Sequence, residues 1–260
     1  MTTIEISLGK GVEENASEYF EKAKKMRKKI EGAKNALARY KEKLETLEKK
    51  KAKEKEQFDS IVTGAAKKEW YEKFRWFFSS EGYLVIGGRD ATTNEILIKK
   101  HTVDNDVVFH TDMAGSPFFI IKTEGKQPGE QTIREVANAT VTFSRVFKLG
   151  QSSSPVFYVK PEQVSKEAQS GEYLTKGAFM IRGKTNYIEN KIDLAIGKLE
   201  DGRLMAAPET AIVARCKEYV RIRQGSRKVA EIAKKIKSRL GGNLDDIIRI
   251  LPSGEMDILS

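Results

Sequence analysis

The chain has one cysteine, Cys216, and two histidines, His101 and His110, among 260 residues. A single thiol makes no internal disulfide framework, so the fold is held by its core, as suits a reducing compartment. Cys216 has no histidine near it in sequence and reads as a small core residue. No apolar run approaches the length of a membrane span, and Met1-Thr2-Thr3 begins no signal peptide. The expected location is therefore the cytoplasm, with no membrane partner. Nucleotide hydrolysis lacks its loop: Gly183-Lys184-Thr185 ends like a phosphate-binding loop, but five residues separate Gly177 from Gly183 where four are required. Phe179-Met180-Ile181 before it reads as strand. No acyl-transfer or glycosidase constellation is present, and no cofactor is expected.

Positive charge is what the chain has in excess. The net charge is +10 and the pI about 9.4. A thermophile-like surface explains a high density of charge; it does not explain the excess of one sign. A soluble chain of this kind attracts polyanions, nucleic acid first. The charge is organised in runs. From Glu21 to Glu56 there are 15 lysines and arginines against 7 glutamates. From Arg221 to Arg239 there are 8 against one glutamate. Arg221, Arg223, Arg227 and Lys228 fall at an expected strand-to-helix junction, where Gly225-Ser226 would open a helix and offer N–H groups to a phosphate. Lys166, Lys176, Arg182 and Lys184 surround Tyr173 and Tyr187, with Asn186 beside them. Basic groups among aromatics suit single-stranded or loop RNA.

Organisation follows from periodicity. Ala16, Tyr19, Ala23, Met26, Ile30, Ala33, Leu37, Tyr40, Leu44 and Leu47 step alternately by three and four, a coiled-coil seam that fades at Lys51 and Glu54. Asn15 is placed to cap its start. One such helix cannot bury its seam and needs a partner, which makes a homodimer the expectation if no second helix is supplied. Residues 1–64 are thus read as a coiled-coil arm, 65–200 as an α+β domain with a mixed sheet and flanking helices, and 201–260 as a basic C-terminal extension on or next to it. Strands are expected at 83–87, 95–100, 106–110, 117–122, 155–160, 178–182 and 192–197, with another within 211–222. Helices are expected at 132–147 and 226–240, the latter closed by Gly241-Gly242. Asp201-Gly202 signals a hairpin.

The densest segment runs from Glu69 to Asp90. It holds Trp70 and Trp76 with Tyr71, Phe74, Phe77, Phe78 and Tyr83. Trp70, Phe74 and Phe77 share helical spacing, Tyr83 to Ile86 reads as a strand, and Gly87-Gly88 as a turn open to positive φ, after which Arg89 and Asp90 emerge as candidate RNA contacts together with His110, the arginine offering a planar fork for phosphate or a stacking surface for a base. His110 and Asp112, two apart on a strand, could form a metal or acid–base site with Asp104 or Asp106. A structural polar pair is the plainer reading of these groups.

The Glu69–Asp90 segment resembles the NFACT family of ribosome-quality-control factors. Asn94-Glu95 with Lys99-Lys100, Val108-Phe109-His110-Thr111-Asp112 with Gly115, Val164-Ser165-Lys166, Gly171-Glu172-Tyr173-Leu174, and Phe179-Met180-Ile181-Arg182-Gly183-Lys184-Thr185-Asn186 continue it in order over roughly residues 60–200. The resemblance implies an RNA-binding NFACT-R domain behind the family's second coiled-coil helix. The first such helix and an N-terminal half would lie upstream, so a fragment or split gene is expected. It further implies rRNA and tRNA as partners on a large ribosomal subunit holding a stalled nascent chain, untemplated C-terminal tailing, and a binding role without catalytic residues or metal. Ala114 stands where many relatives have histidine, and Phe147 where tryptophan is common. Two other classes compete: a protein-interaction scaffold acting through the heptads, and a metal-dependent hydrolase or nuclease using Asp90, His110 and Asp112.

Overall fold

The computed structural model describes residues 5–62, 69–167 and 177–259, with side chains of the first helix described at 12–41, 43 and 44. The chain forms two compact units, Met1–Lys68 and Glu69–Ser260.

The first unit is built on α1 (Val12–Val62), rich in alanine, lysine, glutamate and leucine and free of proline. Glu13 and Glu14 in its first turn suit the positive end of the helix dipole. Asn15 does not cap the helix: it lies inside the first turn and holds the preceding loop. Its amide donates to the carbonyls of Ser7, Lys10 and Gly11, each at 3.1 Å, and accepts from Ser7 N–H at 2.9 Å. The described seam residues Met26, Ile30, Ala33, Leu37, Tyr40 and Leu44 are exposed; the Leu47 side chain lies outside the described residues.

The second unit opens on a 3-10 turn, Trp70–Lys73, and β1 (Arg75–Phe78). This corrects the helical reading of the aromatic segment. Four successive residues, Arg-Trp-Phe-Phe, fit a pleated surface better than a helix: Phe77 enters the core while Trp76 and Phe78 meet Tyr71 on the other side, with ring centroids 5.2 and 6.1 Å away. β2 (Leu84–Gly87), β3 (Val107–Thr111), β4 (Phe119–Lys122), β5 (Val156–Val159) and, further on, β8 (Asn186–Ile188) complete a six-stranded sheet in the order β1-β2-β4-β3-β5-β8. Residues 95–100, expected as a strand, belong to α2 (Ala91–His101). Ile96-Leu97-Ile98 is a short apolar run that periodicity alone does not assign. The Asp90–Thr93 capping box and the basic last turn decide for helix.

The expected helix 132–147 is two: α3 (Glu130–Thr142) stops at Phe143, and Ser144 caps α4 (Arg145–Lys148) through Val146 N–H. α3 is buried on nearly all sides. Phe77, Phe109, Phe119 and Phe147 are fully buried, each contributing about 2–3 kcal/mol of hydrophobic stabilisation. β6 (Val164–Ser165) and β7 (Met180–Ile181) form a small separate ribbon.

β9 (Leu194–Lys198) and β10 (Leu204–Ala207) are joined at the Asp201-Gly202 turn, where Gly202 takes φ +87°. With β11 (Glu218–Arg227) and β12 (Met256–Leu259) they form a second sheet ordered β10-β9-β11-β12. That sheet takes one strand from before residue 200 and three from after it, so the hairpin joins these stretches instead of dividing them. The strand expected within 211–222 is β11, which begins at Glu218; the start of that stretch belongs to α5 (Glu209–Val213). α6 (Val229–Leu240) and α7 (Leu244–Ile250) cover this sheet. Cys216 is buried and burial pushes its thiol pKa up. The class is α+β; every strand pair among the described residues is antiparallel, where a mixed sheet is expected.

Candidate nucleic-acid interface

The conspicuous Gly-Gly-Arg-Asp sequence is spent on the fold. Neither Gly87 nor Gly88 takes positive φ; glycine is required here by close approach. A Cβ on Gly87 would lie 2.4 Å from the Phe119 ring, and one on Gly88 1.8 Å from Asn94 Oδ1. Asn94 in turn donates to the Ser116 carbonyl at 3.3 Å and accepts from Phe118 N–H at 3.1 Å. Asp90 is the N-cap of α2, accepting from Thr93 N–H at 2.8 Å. Arg89 donates to the carbonyls of Phe74 and Arg249, both at 2.7 Å. Arg75 reaches the Ile250 and Leu251 carbonyls at 3.4 Å each. Two guanidiniums therefore meet the carbonyl end of α7, where unpaired acceptors and the negative pole of the helix call for cations. Burial lowers the pKa of both, followed by the like charge of Arg89 on Arg75 and of Arg249 on Arg89.

The groups proposed for hydrolysis serve separate structural ends. His110 stacks on Phe118 at 4.2 Å, with Nε2 3.2 Å from the Ser116 carbonyl, and burial lowers its pKa below the usual imidazole value. Asp112 accepts from the Tyr187 hydroxyl at 3.2 Å. Asp106 is buried against Lys122 and accepts from Val103 N–H at 2.9 Å. Among the described residues no group of three His, Cys, Asp or Glu is placed to hold a metal ion.

The Arg182-Gly183-Lys184 loop is different: its backbone is gripped and its side chains are free to face solvent. Gln163 Nε2 donates to the carbonyls of Arg182 and Lys184, each at 2.9 Å, and Arg182 N–H donates to the Gln163 carbonyl at 2.8 Å. Gly183 has φ +79°, a conformation glycine reaches without strain. Arg182 and Lys184 are exposed; Arg182 makes one loose contact with Glu167 at 3.5 Å. The adjoining β8 is an edge strand. It presents Asn186, which donates to the Tyr158 carbonyl at 3.4 Å, and Tyr187, which is 59% exposed. Lys166 faces inward by comparison, 3.2 Å from the Ala178 carbonyl and 5.0 Å over Phe179. Tyr173 and Lys176 lie outside the described residues.

On the second sheet, Arg221, Arg223 and Arg227 belong to β11, and Lys228 is the N-cap of α6. No helix starts at Gly225-Ser226. These residues form a bulge in β11 opposite Met256, where a Cβ on Gly225 would lie 2.2 Å from Asp257 Oδ2. Val220 and Ile222 point into the core, so Arg221 and Arg223 alternate outward. Arg221 is paired with Glu209 at 2.6 Å and Arg227 with Asp257 at 3.6 Å; Arg223 and Lys228 are exposed. Gln163 and Gln224 went unnoticed in the sequence. Gln224 donates to the Gln151 carbonyl at 2.8 Å, tying β11 to the segment after α4. Their partners lie many residues away and leave no local signal.

Residues 73–183 match the family model described as the NFACT protein RNA binding domain. The chain belongs to the NFACT family. An archaeal Rqc2 homolog, aRqcH of Methanocaldococcus jannaschii, is 42% identical over 199 residues, 74% of this chain and 30% of that protein. The human ribosome quality control complex subunit NEMF is 38% identical over 179 residues, 67% of this chain and 16% of that protein. This NFACT chain thus spans under a third of the length of these relatives. The C-terminal part of a fibronectin/fibrinogen-binding protein from Streptococcus suis shares 16% identity at a TM-score of 0.39, covering 49% of this chain and 47% of that one.

Proposed function

We propose that this NFACT chain is the RNA-binding part of a ribosome quality control factor. It contacts the rRNA of a large ribosomal subunit and the tRNA that still carries a stalled nascent chain, and it supports untemplated C-terminal tailing in the cytoplasm. It acts as a binding module, without catalytic residues, cofactor or metal of its own. The observation that carries this reading is the Arg182-Gly183-Lys184 loop within and beside the matched domain: a fixed backbone aims two cations at solvent, next to an exposed tyrosine on an edge strand. A planar guanidinium and a mobile ammonium there suit phosphate. The bland alternative, a solvated charged surface, does not call for a backbone held at three points. Crosslinking the chain to ribosomal particles and sequencing the bound RNA is expected to return large-subunit rRNA and tRNA; recovery spread evenly over small-subunit rRNA and mRNA would overturn it.

A scaffold role is favoured by one observation, the open seam of α1, where Ile30 is 56% and Leu37 59% exposed. Self-association through that seam is expected to rise with concentration in the ultracentrifuge. Ile30→Asp with Leu37→Asp is expected to abolish it and leave the second unit folded. A strict monomer at high concentration counts against the seam as a homodimer contact.

A further inference from the structure

Trp70 is a second aromatic that the second unit leaves open, 46% exposed on the 3-10 turn before β1. One face of its indole is taken. His101 stacks on it with centroids 4.7 Å apart and planes 14° from parallel. The imidazole is held in place from behind: Phe74 meets it edge-on at 5.2 Å, and Lys122 donates to the His101 carbonyl at 2.8 Å. The turn is fixed as well, because Arg203 joins the Tyr71 hydroxyl at 3.0 Å and Glu72 at 3.1 Å. Tyr71 meets the indole at a steep angle, with ring centroids 5.8 Å apart, and the part of Trp70 that neither ring covers is open to solvent.

Lysines predominate around it, although the exposed Glu69 stands next to Trp70 in the chain. Lys73 on the turn and Lys99 and Lys100 in the last turn of α2 are all exposed. Lys99 is engaged with Glu95 at 2.8 Å, and Lys73 lies 5.0 Å over the Phe74 ring. Burial and then the charges of Lys73, Lys122 and Lys100 lower the His101 pKa. Glu72, the acid within the turn, is committed to Arg203.

We propose that Trp70, backed by His101, is a stacking platform for one unpaired RNA base, with Lys73 and Lys100 on the phosphates to either side. Every base has a π-face to lay on an indole, and a base in a duplex is not free to do so. The inference rests on the RNA-binding reading above and adds to it the site that grips a single-stranded or loop nucleotide. It lies on a different element from the Arg182-Gly183-Lys184 loop.

The test uses the 260-residue chain with a short oligoadenylate and an RNA duplex of equal length. Trp76 is buried beneath Arg203, 4.9 Å from its ring, so quenching by a stacked base reports on Trp70. Expected results are strong quenching by the single strand, weak quenching by the duplex, and a loss of roughly 5- to 150-fold in single-strand affinity for Trp70→Ala. Trp70→Phe is expected to keep most of that affinity, with melting temperatures measured on each sample. Unchanged indole emission in the wild type at saturation, or full affinity in a folded Trp70→Ala protein, overturns the platform and leaves RNA binding standing. A wild-type chain that holds neither RNA at low salt overturns both.

Discussion

Affinity for tRNA or ribosomal RNA is expected to fall by about 10³-fold or more between roughly 50 and 200 mM salt. Each phosphate neutralised by a lysine or arginine releases a condensed counterion, and the logarithm of affinity drops by about 0.7–0.9 per contact for each tenfold rise in salt. The cations available for this are unevenly placed. Arg182, Lys184, Arg223 and Lys228 are exposed, whereas Arg221 and Arg227 already face Glu209 and Asp257. Replacing Arg182 and Lys184 together by alanine is therefore expected to flatten the salt dependence by about one to two contacts. Affinity that stays level across the salt range would remove the electrostatic basis for RNA binding.

Arg89→Ala is expected to act on stability alone. Its guanidinium donates two short bonds to main-chain carbonyls, and charged hydrogen bonds of this kind are worth roughly 1.5–3 kcal/mol each. Losing both costs about 3 kcal/mol or more, which for a unit of this size lowers the melting temperature by roughly 6–12 °C. RNA affinity per folded molecule should remain at the wild-type value. Arg182→Ala is expected to do the reverse: its side chain has one loose ion pair at 3.5 Å and more than half its surface exposed, so melting barely moves while RNA binding weakens. Calorimetry and RNA titration on the same two proteins check both halves. A destabilised Arg182→Ala protein, or an Arg89→Ala protein that melts normally and loses RNA, would exchange the two roles.

The contrast between those arginines shows what the sequence discloses. Glycines next to arginine mark both Gly87-Gly88-Arg89 and Arg182-Gly183-Lys184, and residue type alone does not tell a ligand's approach from a neighbouring side chain's. Asn94 and Phe119 decide the first case, and neither is near it in the chain. The long helix α1, the hairpin at Asp201-Gly202, the stop at Gly241 and most strands were legible because their causes are local: period, turn chemistry and positive φ. The segments that went otherwise are ones in which local signals conflict. Ile96-Leu97-Ile98 looks like a buried strand until Asp90 and Thr93 are recognised as its cap. Trp70, Phe74 and Phe77 keep helical spacing by accident of a turn followed by a strand. Gly225-Ser226 looks like a helix start, but the glycine is there because the bulge in β11 brings Asp257 against it.

The clasp of Arg75 and Arg89 on the carbonyl end of α7 bears on how the molecule comes together. These contacts join residues separated by 160 to 176 positions. Closing so long a loop costs entropy before any contact rewards it, which slows folding. The α1 arm, by contrast, is made of bonds between near neighbours and closes no long loop. The first hairpin of the second unit instead carries two charged side chains whose carbonyl partners come from a helix far along the chain. The stretch recognised as the RNA-binding domain, residues 73–183, is therefore shorter than the piece that folds: assembly is completed from outside it, by residues that touch no RNA in the roles proposed here.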